Sequence, residues 1–564
     1  MTALNRIRQI YGGHRIILIV ILCLFGLCVM SKGPRKHKRR KTTDERVYLV
    51  HADVLRFDRF DPNTPGAQVL NGNVQFRHKG ATLRCDSAFF YDAENSFEAY
   101  GHVRLVQGDS LTLTSDEAYY DGNDQMAEAR HNVVLRHRGT TLYTDSLNYD
   151  RLYGVGYFFE GGRMIDKKNV LVSDWGEYDT NTRKATFNYD VTLRNEDFTI
   201  HTDTLHYDTR TSVAHVVGPS RIVSKQSTID TESGFYNSKT GQAELFGRST
   251  VVNDGKEMTA DSLFYNEKTS VSEGFNNVVY VDKENNNSLE CDYFIYNDST
   301  GEAMATKRAL MKEFSQKDTL YMHSDTIRLY TYNINTDSVY RTAHCYYKVR
   351  AYRDDVQAVC DSLVYDTRDS CMTMYRDPIV WSDNRQMFGE KIKVFMRDST
   401  VEHAHVIGQA FSTEILRDST HYNQVSSREM LAYFDGGKLS RTEAIGNVRT
   451  VFYPIEEKDS SIILLNCLET DTMRMFMKDG QLQKIWTSKA EGTAYPMSQI
   501  PPGKDFIDGF AWFDDIRPVD KNDIFDTRSK SAEDLLKPQT RHEAPLQQIK
   551  DGRIETLKGE RQRE

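Results

Sequence analysis

The sequence predicts an all-β chain in which one short unit is stacked many times. The first observation behind this is a recurring motif, Asp-Ser-Leu-x-Tyr-Asp. It stands at Asp145–Asp150, Asp203–Asp208 (with Thr204), Asp261–Asn266 and Asp361–Asp366. Degenerate copies begin at Asp116, Asp174 and Glu232, so that 116, 145, 174, 203, 232 and 261 are each 29 residues apart. Flanking copies begin at Asp53, Asp86, Asp292, Asp325 and Glu390. A fixed period in this range is the mark of a stacked repeat architecture, whose function belongs to the continuous surface the stack creates. The second observation is composition: 31 Tyr and 27 Phe, with abundant Val and Thr, suit half-buried pleated surfaces. The third is proline. Of 12 prolines only Pro219 and Pro378 fall between residues 66 and 453, as expected where proline would interrupt ladder hydrogen bonds.

From the amino terminus, residues 1–43 form an anchor or signal segment with a basic linker. Ile16 to Met30 is an uninterrupted apolar run, about 22 Å long as a helix and slightly short for a ~30 Å hydrocarbon core. No small-x-small cleavage site follows, and neither Cys23 nor Cys28 is preceded by the small residues of a lipoprotein site. The expectation is one amino-terminal hydrophobic helix holding the chain in the inner membrane through residues 16–30, with a cleaved signal peptide as the alternative. Three basic residues precede the run and seven follow it, which by the positive-inside rule places the body in the cytoplasm. The functional expectation below requires the opposite side.

The body follows one grammar. In residues 133–150, Val133 and Leu135 share a strand face, and residues 136–140 read as a turn. Leu142, then Leu147 and Tyr149, alternate with period two. The apolar parity switches between Leu142 and Leu147, so the chain must bend at Thr144-Asp145, where Asp can close an Asx-type turn. Val103 and Leu105, Val191 and Leu193, and Leu205 and Tyr207 repeat the pattern, and Leu263, Tyr265, Leu363 and Tyr365 stand at equivalent positions. Each unit is expected to be three or four short strands. Their inner face is either a filled core or an open apolar trough; periodicity does not decide.

Charge narrows the partners. Residues 1–43 carry ten Lys or Arg and no acid, so a net charge of −9 leaves residues 44–564 at −19. That excludes nucleic acid, which needs clustered cations.

The unit resembles the OstA-like repeat of the LptA family, which comprises the periplasmic lipopolysaccharide-transport bridge proteins and the amino-terminal jellyroll of the outer-membrane translocon. The resemblance rests on Cys85-Asp86-Ser87-Ala88-Phe89-Phe90-Tyr91-Asp92 followed by Gly101-His102-Val103-Arg104-Leu105, and on Gly446-Asn447-Val448-Arg449-Thr450-Val451. It covers residues 47 to about 453. It implies an elongated β-jellyroll of V-shaped, stacked antiparallel strands, whose apolar groove shields acyl chains while the glycan stays outside. It further implies a periplasmic, non-enzymatic transport protein with lipopolysaccharide or a related glycolipid as cargo and other jellyrolls joined end to end. The expected lining is Val103, Leu105, Leu147, Tyr149, Val191, Leu193, Leu205, Tyr207, Leu263, Tyr265, Leu363 and Tyr365. The long series of carboxy-terminal strands that a transmembrane barrel requires is missing.

No catalytic, cofactor or metal site is expected. The repeated aspartates recur in every unit, whereas catalysis needs one off-pattern cluster. His403 and His405 form a close pair without an evident third ligand. Cys85, Cys291 and Cys360 sit just before the repeat's acidic residue and read as small packing residues; a disulfide among the six body cysteines is left open. Residues 44–300 form the clearest repeat region and 301–453 its divergent continuation. Residues 454–528, with Phe506, Phe510, Trp512 and Phe513 among prolines, cap the stack or dock a partner. Residues 529–564 read as a polar, disordered or weakly helical tail. The alternatives to lipid transport are a structural or adhesive envelope protein with a filled core and, from another class, a carbohydrate-active β-solenoid enzyme.

Overall fold

A computed structural model describes residues 45–57, 66–224, 227–253, 255–397, 400–455, 461–478 and 481–528, together with the backbone of Gln547–Lys550 and Arg553–Thr556. The apolar run at 16–30 lies outside these residues, and so does the helix expected there. Among the described residues no helix is long and apolar enough to cross a membrane. The body is all-β. Among the described residues its helical elements are three short 3-10 turns, Met497–Gln499, Asp514–Ile516 and Asp523–Phe525. The chain divides into two compact units, residues 45–127 and residues 128 onward.

Both units are antiparallel meanders of long strands. The 29-residue period is not three or four short strands but one hairpin. Ser227–Asn237 has 11 residues and Gln242–Asn253 has 12, and the two pair antiparallel. Four residues between them and two after them complete the repeat. The parity switch read from the sequence is a corner inside the long strands, which are folded over rather than ended. In residues 155–179 and 371–397 the chain breaks at the bend into four short strands, as the sequence reading has it.

The corners share one construction. Asn71 faces Ser87 and Val74 faces Cys85, which leaves Gly72 and Asn73 opposite the single residue Asp86. Tyr189-Asp190 stands likewise opposite Asp203, and Tyr347-Lys348 opposite Asp361. Both residues of the two-residue side are left-handed: φ is 78° and 46° at Gly72-Asn73, and 63° and 57° at Tyr347-Lys348. Two such residues against one form a bulge that turns the strand sharply. Beyond each corner the inward parity shifts by one, so the two halves of every strand enter two sheets that face each other. Phe76, from one half, stacks on Phe97, from the other, with ring centroids 4.1 Å apart.

The Asx turn expected at the motif's first Asp belongs to its last. Asp150 Oδ1 accepts the backbone N–H groups of Leu152 and Tyr153, and Asp179, Asp208 and Asn237 do the same in their own turns. The first Asp instead packs at the corner. Thus one motif encodes both ends of a half-strand: an acidic residue at the bend and a turn former at the hairpin.

Within residues 128–528, the segment after the last strands runs back along the outer face of one sheet. Ile507, Phe513 and Ile516 pack there against Val359, Ile379, Trp381, Phe388 and Phe411. In the tail, Gln547–Lys550 and Arg553–Thr556 pair as a hairpin, where the sequence reading has disorder or weak helix.

The corner makes a differential prediction. A Cβ at Gly101 (φ +75°) meets Asp86 Oδ2 at 2.5 Å, whereas one at Gly80 (φ +77°) meets nothing within 4 Å. Gly80→Ala is expected to cost about 1 kcal/mol for its backbone alone. Gly101→Ala is expected to cost a further ~1–3 kcal/mol for the clash. Urea midpoints of the two variants check the difference, and equal midpoints would remove the corner's steric role.

Candidate functional site

The facing sheets enclose two kinds of inward positions in residues 128–528. One row lies beside the corners and the other near the hairpin ends, where the sheets meet or part along a seam. The corner row holds Leu147, Val191, Leu205, Leu263 and Leu363, all buried. The seam row changes character along the chain. Tyr149, Tyr178, Leu193, Ile200 and Tyr207 are buried. From the next repeat on, Ile222, Ile229, Val251, Met258, Leu289, Tyr296, Met311, Tyr365, Met372 and Met475 are only partly buried. Tyr265, the counterpart of Tyr207, is 45% exposed where Tyr207 is 2% exposed.

Polar latches coincide with the buried stretch. His137 Nδ1 lies 3.0 Å from the Tyr178 hydroxyl. The Tyr207 hydroxyl donates to Asp166 at 2.8 Å and accepts from Asn169 at 2.9 Å. Lys167 reaches Ser212 at 2.9 Å, and Asn169 reaches Ser238 at 3.2 Å. Burial, then the Asp166 carboxylate, raise the Tyr207 pKa, so its hydroxyl stays a donor. Burial holds the His137 pKa below its ordinary value. The result is a sealed, filled stretch up to about residue 216, followed by an apolar cleft whose seam row is partly exposed at most positions from Ile222 to Met475, with Met322 and Ala432 buried. In residues 45–127 the equivalent latch is His78 Nδ1 with the Tyr120 hydroxyl at 2.7 Å, over a buried core containing Val103 and Leu105.

The repeat carboxylates lie on the outside of the corners, engaged in structural contacts. Asp86 takes His102 at 2.7 Å; Asp261 takes Arg248 at 3.2 Å and Asn277 at 2.7 Å; Asp361 takes Arg376 at 3.2 Å. Exposed pairs of this kind contribute little to stability. Among the described residues no three His, Cys, Asp or Glu side chains gather in a metal-ligating group. His403 stacks on Phe395, while His405 Nε2 meets Glu429 at 3.1 Å, so the two histidines serve separate neighbours. Cys85, Cys291, Cys345, Cys360, Cys371 and Cys467 are free thiols. Burial pushes Cys345 and Cys291 up to about 12, which leaves them unreactive packing groups at neutral pH.

The sequence placed the inward rows but missed the latches, which involve one polar residue near a turn and a tyrosine some 40 positions away. Its available signal was the pair of His residues at 78 and 137, each at the end of an apolar strand.

Tyr207→Phe strands the buried Asp166 and Asn169 groups and is expected to cost about 1–3 kcal/mol. Tyr265→Phe is expected to stay within about 0.5 kcal/mol. Because His137 has a depressed folded pKa, its unfolded form binds the proton first. Stability is therefore fully present above about pH 6.5, the unfolded value, and is lost as pH falls from there toward the folded pKa. Thermal melts between pH 7.5 and 5.5 check this, with His137→Gln expected to flatten the slope.

Residues 44–203 match the family model described as OstA-like protein. Among solved structures the chain is similar to LptH from Pseudomonas aeruginosa, described as the LptA-homologous periplasmic component of the conserved lipopolysaccharide transport device. That similarity is 16% identity over 18% of this chain and 80% of LptH, with a TM-score of 0.17. No curated protein matches the chain. The family model matched by residues 44–203, OstA-like protein, is thus the one that the repeats resemble.

Proposed function

We propose that this protein is a non-enzymatic lipid carrier of the cell envelope. Its apolar cleft shields the acyl chains of lipopolysaccharide or a related glycolipid, and the glycan stays outside the seam. The observation that carries this reading is the switch in the seam row: the same inward positions that are sealed at Tyr149 and Tyr207 become accessible at Met258, Tyr265, Leu289 and Tyr365. A row of half-exposed Leu, Met, Tyr and Val costs free energy in water, roughly 25 cal/mol per Å². Acyl chains recover that energy at similar depth all along the row, so cargo can slide without any chemical step. The OstA-like match and the description of LptH as periplasmic support a place in the periplasm, bridging inner and outer membranes. The anchor at residues 16–30 belongs to this proposal.

End-to-end joining with other jellyrolls fits the terminal strands. Tyr48–His51 and Val54–Phe57 expose Tyr48, Val50, Val54, Leu55 and Phe57. Gln481–Thr487 exposes Leu482, Ile485 and Trp486. Strand edges of this composition pair readily with another sheet.

A structural or adhesive role with a filled core is favoured by one feature, the latched stretch. Photo-crosslinking separates the readings. A benzophenone side chain at Met258, Tyr265 or Tyr365 is expected to yield lipid adducts in cells, and one at the outward Phe264 is not. Adducts at none of the inward positions would leave the filled-core reading standing. Adducts at Tyr149 and Tyr207 as strong as at Tyr265 would mean that the latches open during transport.

A further inference from the structure

The cleft wall that runs from Tyr340 to Leu465 is apolar on both faces. Ala358, Val380 and Met387 point into the cleft, while Val359, Ile379, Trp381 and Phe388 point outward on the same strands. Strands buried on both faces need cover on each side. Here the inner cover is incomplete because the seam is open, and the outer cover is the returning segment 497–528.

That segment is seated by three buried glutamines, each on a different strand of the wall. Gln424 donates to the Asp505 carbonyl and accepts the Ile507 N–H, both at 2.9 Å. Gln386 donates to the Ala511 carbonyl at 2.9 Å and accepts the Phe513 N–H at 2.8 Å. Gln357 accepts the Arg517 guanidinium at 2.6 and 2.8 Å. Between these fixings the apolar anchors Ile507, Phe510, Phe513 and Ile516 recur every third residue. At the far end the buried Arg350 donates to the Ile516 carbonyl and faces Asp523, and Phe525 packs on His323. The glutamine amides satisfy backbone groups that would otherwise be buried without partners, so the strap is held in one register.

We infer that this strap is a brace: it fixes the wall from behind, so that the cleft stays open without cargo. In the latched stretch, by contrast, the facing sheets close on each other. Hydrophobic attraction acts between the walls of an empty apolar cleft as well. A wall anchored on its outer face by Phe513, Ile516 and the glutamines keeps its twist and spacing instead of collapsing onto its partner. The inference rests on the cleft as the lipid site, and the test separates the two.

The full chain carrying Gln386→Ala, Phe513→Ala or the milder Gln424→Ala is compared with wild type and with Phe187→Ala, which empties a fully buried position on the strand Lys184–Arg194 of the sealed stretch. The probes are a dansylated fatty acid and lipid A. The strap variants are expected to lose at least ten-fold in affinity, and Phe187→Ala at a comparable drop in Tm is expected to stay within two-fold. Maleimide labelling of the native thiols, mapped by mass spectrometry, gives a cargo-free readout. Cys345 and Cys360, on the inner side of the wall, should label faster in the strap variants only. Strap variants that bind like Phe187→Ala, or that label Cys345 and Cys360 at the wild-type rate, overturn the brace. A wild-type chain that takes up neither probe overturns the lipid site instead, and the labelling result then decides the brace alone.

Discussion

The fold depends on the corner. Without a bend, 11- and 12-residue strands joined by tight turns would make one flat sheet with an apolar stripe exposed on each half. At corners such as Gly72-Asn73 and Tyr347-Lys348, two left-handed residues set against one acidic residue turn the strand and shift its inward parity by one. The two halves of the apolar pattern then face each other. Left-handed backbone is unfavourable for residues such as Tyr347 and Lys348. It is tolerated because neighbouring corners stack in register and their side chains share hydrogen bonds with the carboxylates.

Given the corner, the contents of the interior are decided at the other end of each half-strand. Large tyrosines with polar partners across the seam seal the early repeats of residues 128–528. Most later repeats keep a buried apolar residue beside the corner, such as Leu263, Phe294, Ile327 and Leu363, and lose the latch at the edge, so the same scaffold goes from a filled core to a more open cleft. The strap then supplies, from outside, the cover that the open side lacks. The proposed carrier role requires such a division: rigid, repetitive support at the corner and a variable opening at the seam.

The first Asp of the motif and its Leu and Tyr were legible because strand parity is a local property. A switch in alternation between Leu142 and Leu147 has few explanations other than a bend. The strand count was misread because a bend and a chain reversal leave the same mark on an apolar pattern. Only the register, with Asn71 opposite Ser87 and Val74 opposite Cys85, tells them apart. The role of Asp150 was misassigned to Asp145 for a related reason, since both are turn-forming residues and only hydrogen bonding distinguishes corner from hairpin.

The sequence by itself determined the period, the all-β class and the alternation of inward and outward positions. These follow from spacing and residue type, which act over a few neighbouring positions. The tertiary structure decided where the interior is sealed and where it is open. That outcome depends on pairs such as Asp166 with Tyr207 and Gln386 with Phe513, and on whether two facing sheets touch. Tyr207 and Tyr265 are the same letter in the same motif. One is buried under a latch and the other stands in the cleft, because what surrounds each comes from strands far away in the chain.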